Sequence, residues 1–347
     1  MENTYGTLQS MVEELTRQNE VKKDFIVPAR DITMKQTVNQ PIVAFGDDEA
    51  VPTSRFHAQV SAKTKIPKQY YDRMLAESPA LLSENVNHWL GESDKNHMIR
   101  TLDGKARAFL SDRFFRMDNL FVLNAILPNL NRDMNLEFKT NTLTDDRMYL
   151  QIIFRSMQKD VKVGDTMAWG LSFTNSETGL SAFDVKTFLF RLSCLNGMVG
   201  QSLLRKFHVG RKIDSEDGYE LFEKDTLQAE IRALELKTRD IVGYALNSGE
   251  FDKQVEALKI AAGDEVRKPE RVIQNVTQRF DIPERFREMM LENMVQEKEF
   301  SRYGVANAVT SLAHSLTDAD QQYEIEKIGS KIISLSPSEW RVVAEAA

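Results

Sequence analysis

Near residue 215 the spacing of apolar residues changes its period, and this limits the possible folds more than any other feature. Before that point, short alternating or apolar runs are separated by turn-forming residues, as strands are. After it, apolar residues recur every 3.6 positions over long stretches, as they do along helices. The expected fold class is therefore α+β: an antiparallel sheet with helices in the N-terminal part and an all-helical C-terminal part. The polar stretch Asp214-Ser215-Glu216-Asp217-Gly218 marks the boundary, giving a mixed domain over 1–213 and a helical domain over 214–347.

In the first part, Leu8, Met11, Val12 and Leu15 predict a helix within 5–23. Ile42–Phe45 and Phe56–Val60 predict strands. Helices are expected after Pro67, over Leu81–Leu90 and over 117–127. Met98–Leu102 and Lys105–Leu110 flank Asp103-Gly104, which suits the positive φ of a tight hairpin turn. Leu136–Leu143 and Arg147–Phe154 flank a second turn at Thr144-Asp145-Asp146. Val161–Phe173 and Leu180–Phe183 predict two more strands, joined through Asn175–Gly179. Recurring short turns favour antiparallel pairing, because parallel pairing needs long crossovers. In the second part, helices are expected over Leu227–Ala245 and Phe251–Ala262, from Pro269, from Pro283 with Asp281 as its cap, and over 303–316 and 318–334. The last two close the chain.

No apolar run approaches the roughly 18 residues that span a bilayer. Met1-Glu2-Asn3-Thr4 lacks the basic and apolar regions of a signal peptide. The expectation is a cytoplasmic protein without a membrane partner. Cys194 is the sole cysteine, which excludes an intramolecular disulfide and a multi-cysteine zinc site. The five histidines lack ligand spacing, and no Gly-rich phosphate loop is present, so no metal and no cofactor is expected.

Net charge is −7, but its distribution says more. Residues 95–212 carry 18 Lys/Arg against 11 Asp/Glu, while 213–347 carry 17 against 27. A basic middle can focus an anionic partner; equally, the two halves can attract each other. Arg100, Lys105, Arg107, Arg113 and Arg116 interleave with Phe109, Phe114 and Phe115. Arg205, Lys206, His208, Arg211 and Lys212 surround Phe207. Cations beside aromatics suit a single strand, with charge on the phosphates and rings on the bases. The alternative is that the rings are core and the cations pair with Asp103, Asp112 and Asp118. Cys194 and His208 could form a nucleophile–base pair. No third group orients them, and Leu192-Ser193-Cys194-Leu195 favours a buried, inert thiol, with Asn196-Gly197 as a turn after it. The Met289, Met290 and Met294 stripe reads as core packing.

Three stretches carry a family resemblance. They are Arg100–Asn119, Asn175–Gly179 leading into Phe190–Met198, and Tyr303–Thr310 with His314 nearby. Together they resemble a family of phages, plasmids and prophages known as domain of unknown function 932, over roughly residues 50–320. The resemblance implies DNA metabolism or interaction with host defence, in the host cytoplasm, and no particular reaction. In architecture and charge the chain also resembles phage single-strand annealing recombinases. The leading expectation is a homo-oligomeric, non-enzymatic protein that binds single-stranded DNA. In it Arg100, Lys105, Arg107, Phe109, Arg113, Arg116, Arg205, Lys206, Arg211 and Lys212 contact nucleic acid. The alternative is an interaction module that binds or inhibits a host protein. A hydrolase built on Cys194 and His208 is the third reading.

Overall fold

The structure is a computed structural model that describes residues 3–37, 40–130, 135–206, 224–247 and 249–345. A short strand β1 (Asn3–Thr4) precedes helix α1 (Leu8–Val21). Thr7 starts α1 through a reciprocal capping box with Ser10, and Met11 and Leu15 form its buried stripe. Next come β2 (Lys23–Pro28), β3 (Ile32–Gln36), β4 (Pro41–Phe45) and β5 (Asp48–Pro52), then helices α2 (Ser54–Thr64), α3 (Lys68–Glu77) and α4 (Pro79–Gly91). The hairpin β6 (Asn96–Leu102) and β7 (Lys105–Ser111) completes a six-stranded sheet ordered β2-β6-β7-β5-β4-β3. Its pairs are antiparallel except β5–β7, which is parallel. Asp103 and Gly104 turn the hairpin with φ of 49° and 74°, as expected.

Helix α5 (Asn119–Ile126) leads to the second sheet: β8 (Leu136–Leu143), β9 (Met148–Lys162), β10 (Asp165–Asn175), β11 (Phe183–Arg191) and β12 (Asn196–Lys206). With β1 at its edge it has six strands in the order β1-β8-β9-β10-β11-β12, all antiparallel. The C-terminal elements are α6 (Lys224–Asn247), α7 (Glu250–Gly263), α8 (Pro269–Arg279), α9 (Arg287–Glu297), α10 (Arg302–Ser311), α11 (Ala319–Ile333) and α12 (Pro337–Glu345). The fold is α+β, with strands before the boundary region and helices after it. Among the described residues, no helix is long and apolar enough to cross a membrane.

Several local expectations are corrected. Phe56–Val60 lies in α2, not in a strand: the Thr53 side chain caps Phe56 N–H at 3.2 Å, and Phe56 and Val60, one turn apart, are both buried. Val161–Phe173 is two strands, because Val163-Gly164 turns the chain with Gly164 at φ 80°. Leu180–Ala182 is irregular, and the strand starts at Phe183. Asn196-Gly197 opens β12; the turn is one step earlier, with Leu195 at φ 57°. A 3-10 turn, Glu284–Phe286, separates Pro283 from α9, and Asp281 at φ 53° instead ends α8, just after its C-cap Phe280, with Ile282 N–H closing on the Thr277 carbonyl at 3.0 Å. Helix α12 follows the one expected to be last.

The boundary expected near 213 lies outside the described residues; apolar packing gathers the elements into two large cores. One core joins the first sheet to α2, α3 and α4. The other combines α1, α5 and one face of the second sheet with α6–α12. Helix α10 is buried all round, from Arg302 to Thr310, which marks it as the centre of this second core. Met290 and Met294 are buried there as expected, whereas Met289 is 40% exposed.

Candidate functional site

The basic hairpin β6–β7 stands where the two sheets meet. Arg100 projects from the middle of β6 and is fully buried. Its Nε and Nη2 donate to Asp24 at 2.8 and 3.1 Å, Nη2 also donates to Asp118 at 2.6 Å, and Nη1 donates to the Glu177 carbonyl at 2.9 Å. Asp24 arrives on β2 directly opposite Arg100. Asp118 precedes α5, and Glu177 lies in the turn after β10. Three distant segments therefore close on one guanidinium.

The network continues around Glu177. Its carboxylate accepts from Arg107 Nη2 at 2.7 Å and from Asn119 N–H at 2.8 Å. The second of these bonds caps α5, an anion on the positive end of a helix dipole. Asp118 does not cap α5, since Lys22 takes its other oxygen at 2.6 Å. Burial alone would raise the Asp118 and Glu177 pKa values. Arg100 and Lys22 outweigh it at Asp118, and Arg107 chiefly does so at Glu177, so both carboxyls are held below their ordinary range. Burial likewise disfavours charged Arg100, but Asp118, Asp24 and Glu177 raise it above its usual value. Asn175 adds neutral bonds across the seam, to the Met117 carbonyl at 2.8 Å and Asn119 Oδ1 at 2.9 Å.

The residues expected to hold a nucleic acid do not form one exposed face. Arg100 and Arg107 are built into the seam. Phe109 is fully buried, stacked on His97 at 4.3 Å and edge-on to Phe56 at 5.5 Å, so it is core. Phe114 is 7% exposed. Arg116 pairs with Asp24 at 3.2 Å. Lys105 and Arg113 are exposed. Arg205 and Lys206 stand at the far edge of the second sheet, on β12. Arg205 is opposite Asp184, and Lys206 pairs with Glu230 at 3.2 Å while covering the Phe115 ring at 4.8 Å. Arg211, Lys212, Phe207 and His208 lie outside the described residues. Above the seam is a cleft of about 200 Å³ whose walls mix Arg17, Lys105 and Arg147 with Asp103 and Asp146. Its charge is too balanced to track a polyanion.

Cys194 belongs to a second network at the opposite end of β10 and β11. Arg191 donates to both Asp165 oxygens at 2.7 and 3.0 Å and to Glu297 at 2.5 Å, and the Tyr303 hydroxyl donates to Asp165 at 2.9 Å. The Cys194 thiol is half-buried in a tight turn and donates to Glu297 at 3.0 Å. Burial and then Glu297 push its pKa up, the reverse of what an activated nucleophile needs. Among the described residues, no group of three His, Cys, Asp or Glu side chains is placed to hold a metal.

The three stretches singled out in the sequence thus meet in pairs: Arg100–Asn119 with Asn175–Gly179 at the seam, and Phe190–Met198 with Tyr303 at the other end. Sequence reasoning anticipated Asp118 as a partner but not Asp24 or Glu177. A polar Asn-Ser-Glu-Thr run ending a buried strand was the available sign of Glu177. Tyr70, expected on the apolar face of the helix after Pro67 with Tyr71, Met74 and Leu75, is instead 46% exposed, and Trp89, which the sequence did not single out, is 49% exposed. No family model matches the chain, and neither the curated proteins nor the solved structures contain a match to it.

Proposed function

We propose that this protein is a non-enzymatic interaction module that binds another protein through the exposed aromatic face of α3 and α4. The observation that carries this reading is the double apolar character of α4. Leu82, Val86 and Leu90 face the core, while Leu81 and Trp89, two turns apart with Asn85 between them, stay 43% and 49% exposed. A helix needs only one apolar stripe to dock on its own domain, and the second is available to a partner. Trp89 is held rather than loose: its Nε1 donates to Asn85 at 3.0 Å, and His88 meets its ring edge-on at 5.0 Å. Asn85 in turn contacts Met74 Sδ at 3.9 Å, and Tyr70 lies one turn before Met74 on α3. Tyr and Trp with fixed rotamers are the residues that dominate protein interfaces. The resemblance to a mobile-element family implies either DNA metabolism or interaction with host defence, and the exposed aromatic face favours a host protein as the partner.

The single-strand-binding reading is supported by Lys105 and Arg113, which are exposed. It is weakened by the engagement of Arg100 and Arg107 in the seam and by the core position of Phe109. A photo-crosslinking residue at position 89, with a second at exposed Gln9 as control, separates the two readings. Selective protein adducts at 89, lost on Tyr70→Ala, are the expected outcome. Equal adducts at both positions, together with salt-sensitive binding of a labelled single strand in anisotropy titrations, would replace this proposal with the nucleic-acid reading.

A further inference from the structure

A row of polar side chains crosses the face of the second sheet that α11 covers. Thr140 on β8 is opposite Gln151 on β9, Gln151 opposite Ser172 on β10, Ser172 opposite Lys186 on β11, and Lys186 opposite Ser202 on β12. Above and below this row the face is apolar, with Tyr149, Ile153, Ala168, Phe188 and Val199 packed beneath Ala319 and Tyr323 of α11. Helix α11 places one carboxyl on the row. Glu326 Oε2 accepts from Gln151 Nε2 at 2.5 Å, and Gln151 Oε1 accepts from Thr140 Oγ1 at 2.6 Å. The other oxygen, Oε1, sits against Gly197. A Cβ at that position would stand 2.6 Å from it and 2.7 Å from the Phe188 ring, so a larger residue would have to push the carboxyl or the ring aside.

Among the described residues, no cation pairs with Glu326, although several charges lie on the surrounding elements. On α11 itself, Asp320 is bound by Arg147 from the turn before β9 and by Tyr149 on β9, and Glu324 by Lys327. On β11, Lys186 is 3.4 Å from Asp184 and donates to the Tyr323 hydroxyl at 3.3 Å. On β8, Glu137 pairs with Lys139 and Arg155, and on β12 Arg205 stands opposite Asp184. His314, in the turn after α10, bonds Asn196 at 2.6 Å. Strands β10 and β12 contribute Ser172 and Ser202 to the row itself.

We propose that Glu326 is a protonation latch: α11 stays seated on the second sheet while this carboxyl is neutral and loosens from it when the carboxyl ionises. An ionised carboxylate facing a neutral amide, a glycine and a phenyl ring has lost its water without gaining a counter-charge. Burial pushes the Glu326 pKa up to about 7, against a smaller opposing pull from Gln151. The latch therefore operates around neutrality. It holds in mild acid and yields as pH rises.

The test is hydrogen exchange of the α11 amides in the full chain, corrected for intrinsic pH dependence, with an infrared titration of buried carboxylic acid. Between about pH 6 and pH 8, protection of α11 should fall roughly tenfold, the factor that one pKa unit of linkage supplies. In Glu326→Gln the fall should disappear, as should one carboxylic-acid band that titrates near neutrality in the wild type. Should the glutamine variant fail to fold, the wild-type band and exchange profile decide alone. A band absent at pH 6, or α11 protection equal at both pH values, would overturn the proposal.

Discussion

The seam at Arg100 and the row at Glu326 both bury ionisable groups between a sheet and its neighbours, yet they solve the problem in opposite ways. At the seam, the buried cations Lys22, Arg100 and Arg107, joined by the more exposed Arg116, face three carboxylates, Asp24, Asp118 and Glu177. Each charge keeps its counter-charge, and burial strengthens their mutual attraction. At the row, one carboxyl meets an amide, and neutrality is restored by a proton instead. The difference teaches that burial alone does not set a carboxyl's state; the nearest cation does. It also gives the two regions opposite pH responses. Asp118 and Glu177, with depressed pKa values, add stability above their unfolded pKa near 4 that is lost as pH falls through their folded values. Glu326, with a raised pKa, adds stability that is complete below about 4.5 and is lost as pH rises towards 7.

The largest effect belongs to the seam. Arg100→Ala leaves Asp24 and Asp118 partly uncompensated and the Glu177 carbonyl without its donor, and should destabilise by about 3–5 kcal/mol in urea unfolding. Phe109→Ala on the neighbouring strand should lose a similar amount, about 3–5 kcal/mol, through the cavity beside Phe56 and His97. A loss under about 1 kcal/mol for Arg100→Ala would mean that the seam is wet and the contrast with the row is false.

Glu326→Gln sharpens the same comparison at the other region. The variant should match the wild type near pH 4 and exceed its stability above pH 7 by up to about 3 kcal/mol, the linkage of a carboxyl raised from its ordinary value to about 7. The sign matters most. A variant less stable than the wild type at pH 8 would show that the carboxylate has a partner after all.

How much of this was legible depended on whether the deciding interaction was local. Asp103-Gly104 announced the hairpin because its turn needs positive φ at both residues, a property of two adjacent residues. The C-terminal helices were legible because period 3.6 persists for several turns. Phe56–Val60 was not, since five residues with two apolar ends suit either state, and the Thr53 cap decided the matter. Val161–Phe173 was misread because apolar residues continue through the Val163-Gly164 turn, where Val163 is fully exposed. The site was legible only in outline. Arg100 and Arg107 read as a binding surface because nothing within ten residues reveals that Asp24 and Glu177, 76 and 70 positions away, fold onto them. Glu326 was silent for the same reason: on α11 it looks like one more acidic helix residue, and only Gly197 and Gln151 make it unusual.

The smallest expected effect is the most useful for the functional reading. Lys105 and Arg113 are exposed, and Lys105 is beside the hairpin turn. Replacing both by Ala removes two solvated charges and no packing, so stability should stay within about 0.5 kcal/mol of wild type. Because the fold is undisturbed, any change in binding can be assigned to the charges. If a protein partner docks on Tyr70 and Trp89, the double variant should retain crosslinking from position 89 in full. If a single strand is the ligand, the same variant should bind it more weakly, and its slope against log salt should become shallower by roughly 0.7 for each phosphate that is no longer neutralised. The two outcomes are read on one stable protein, which Arg100→Ala and Phe109→Ala cannot offer. The charges that matter least to the fold are therefore the ones that decide between the partners.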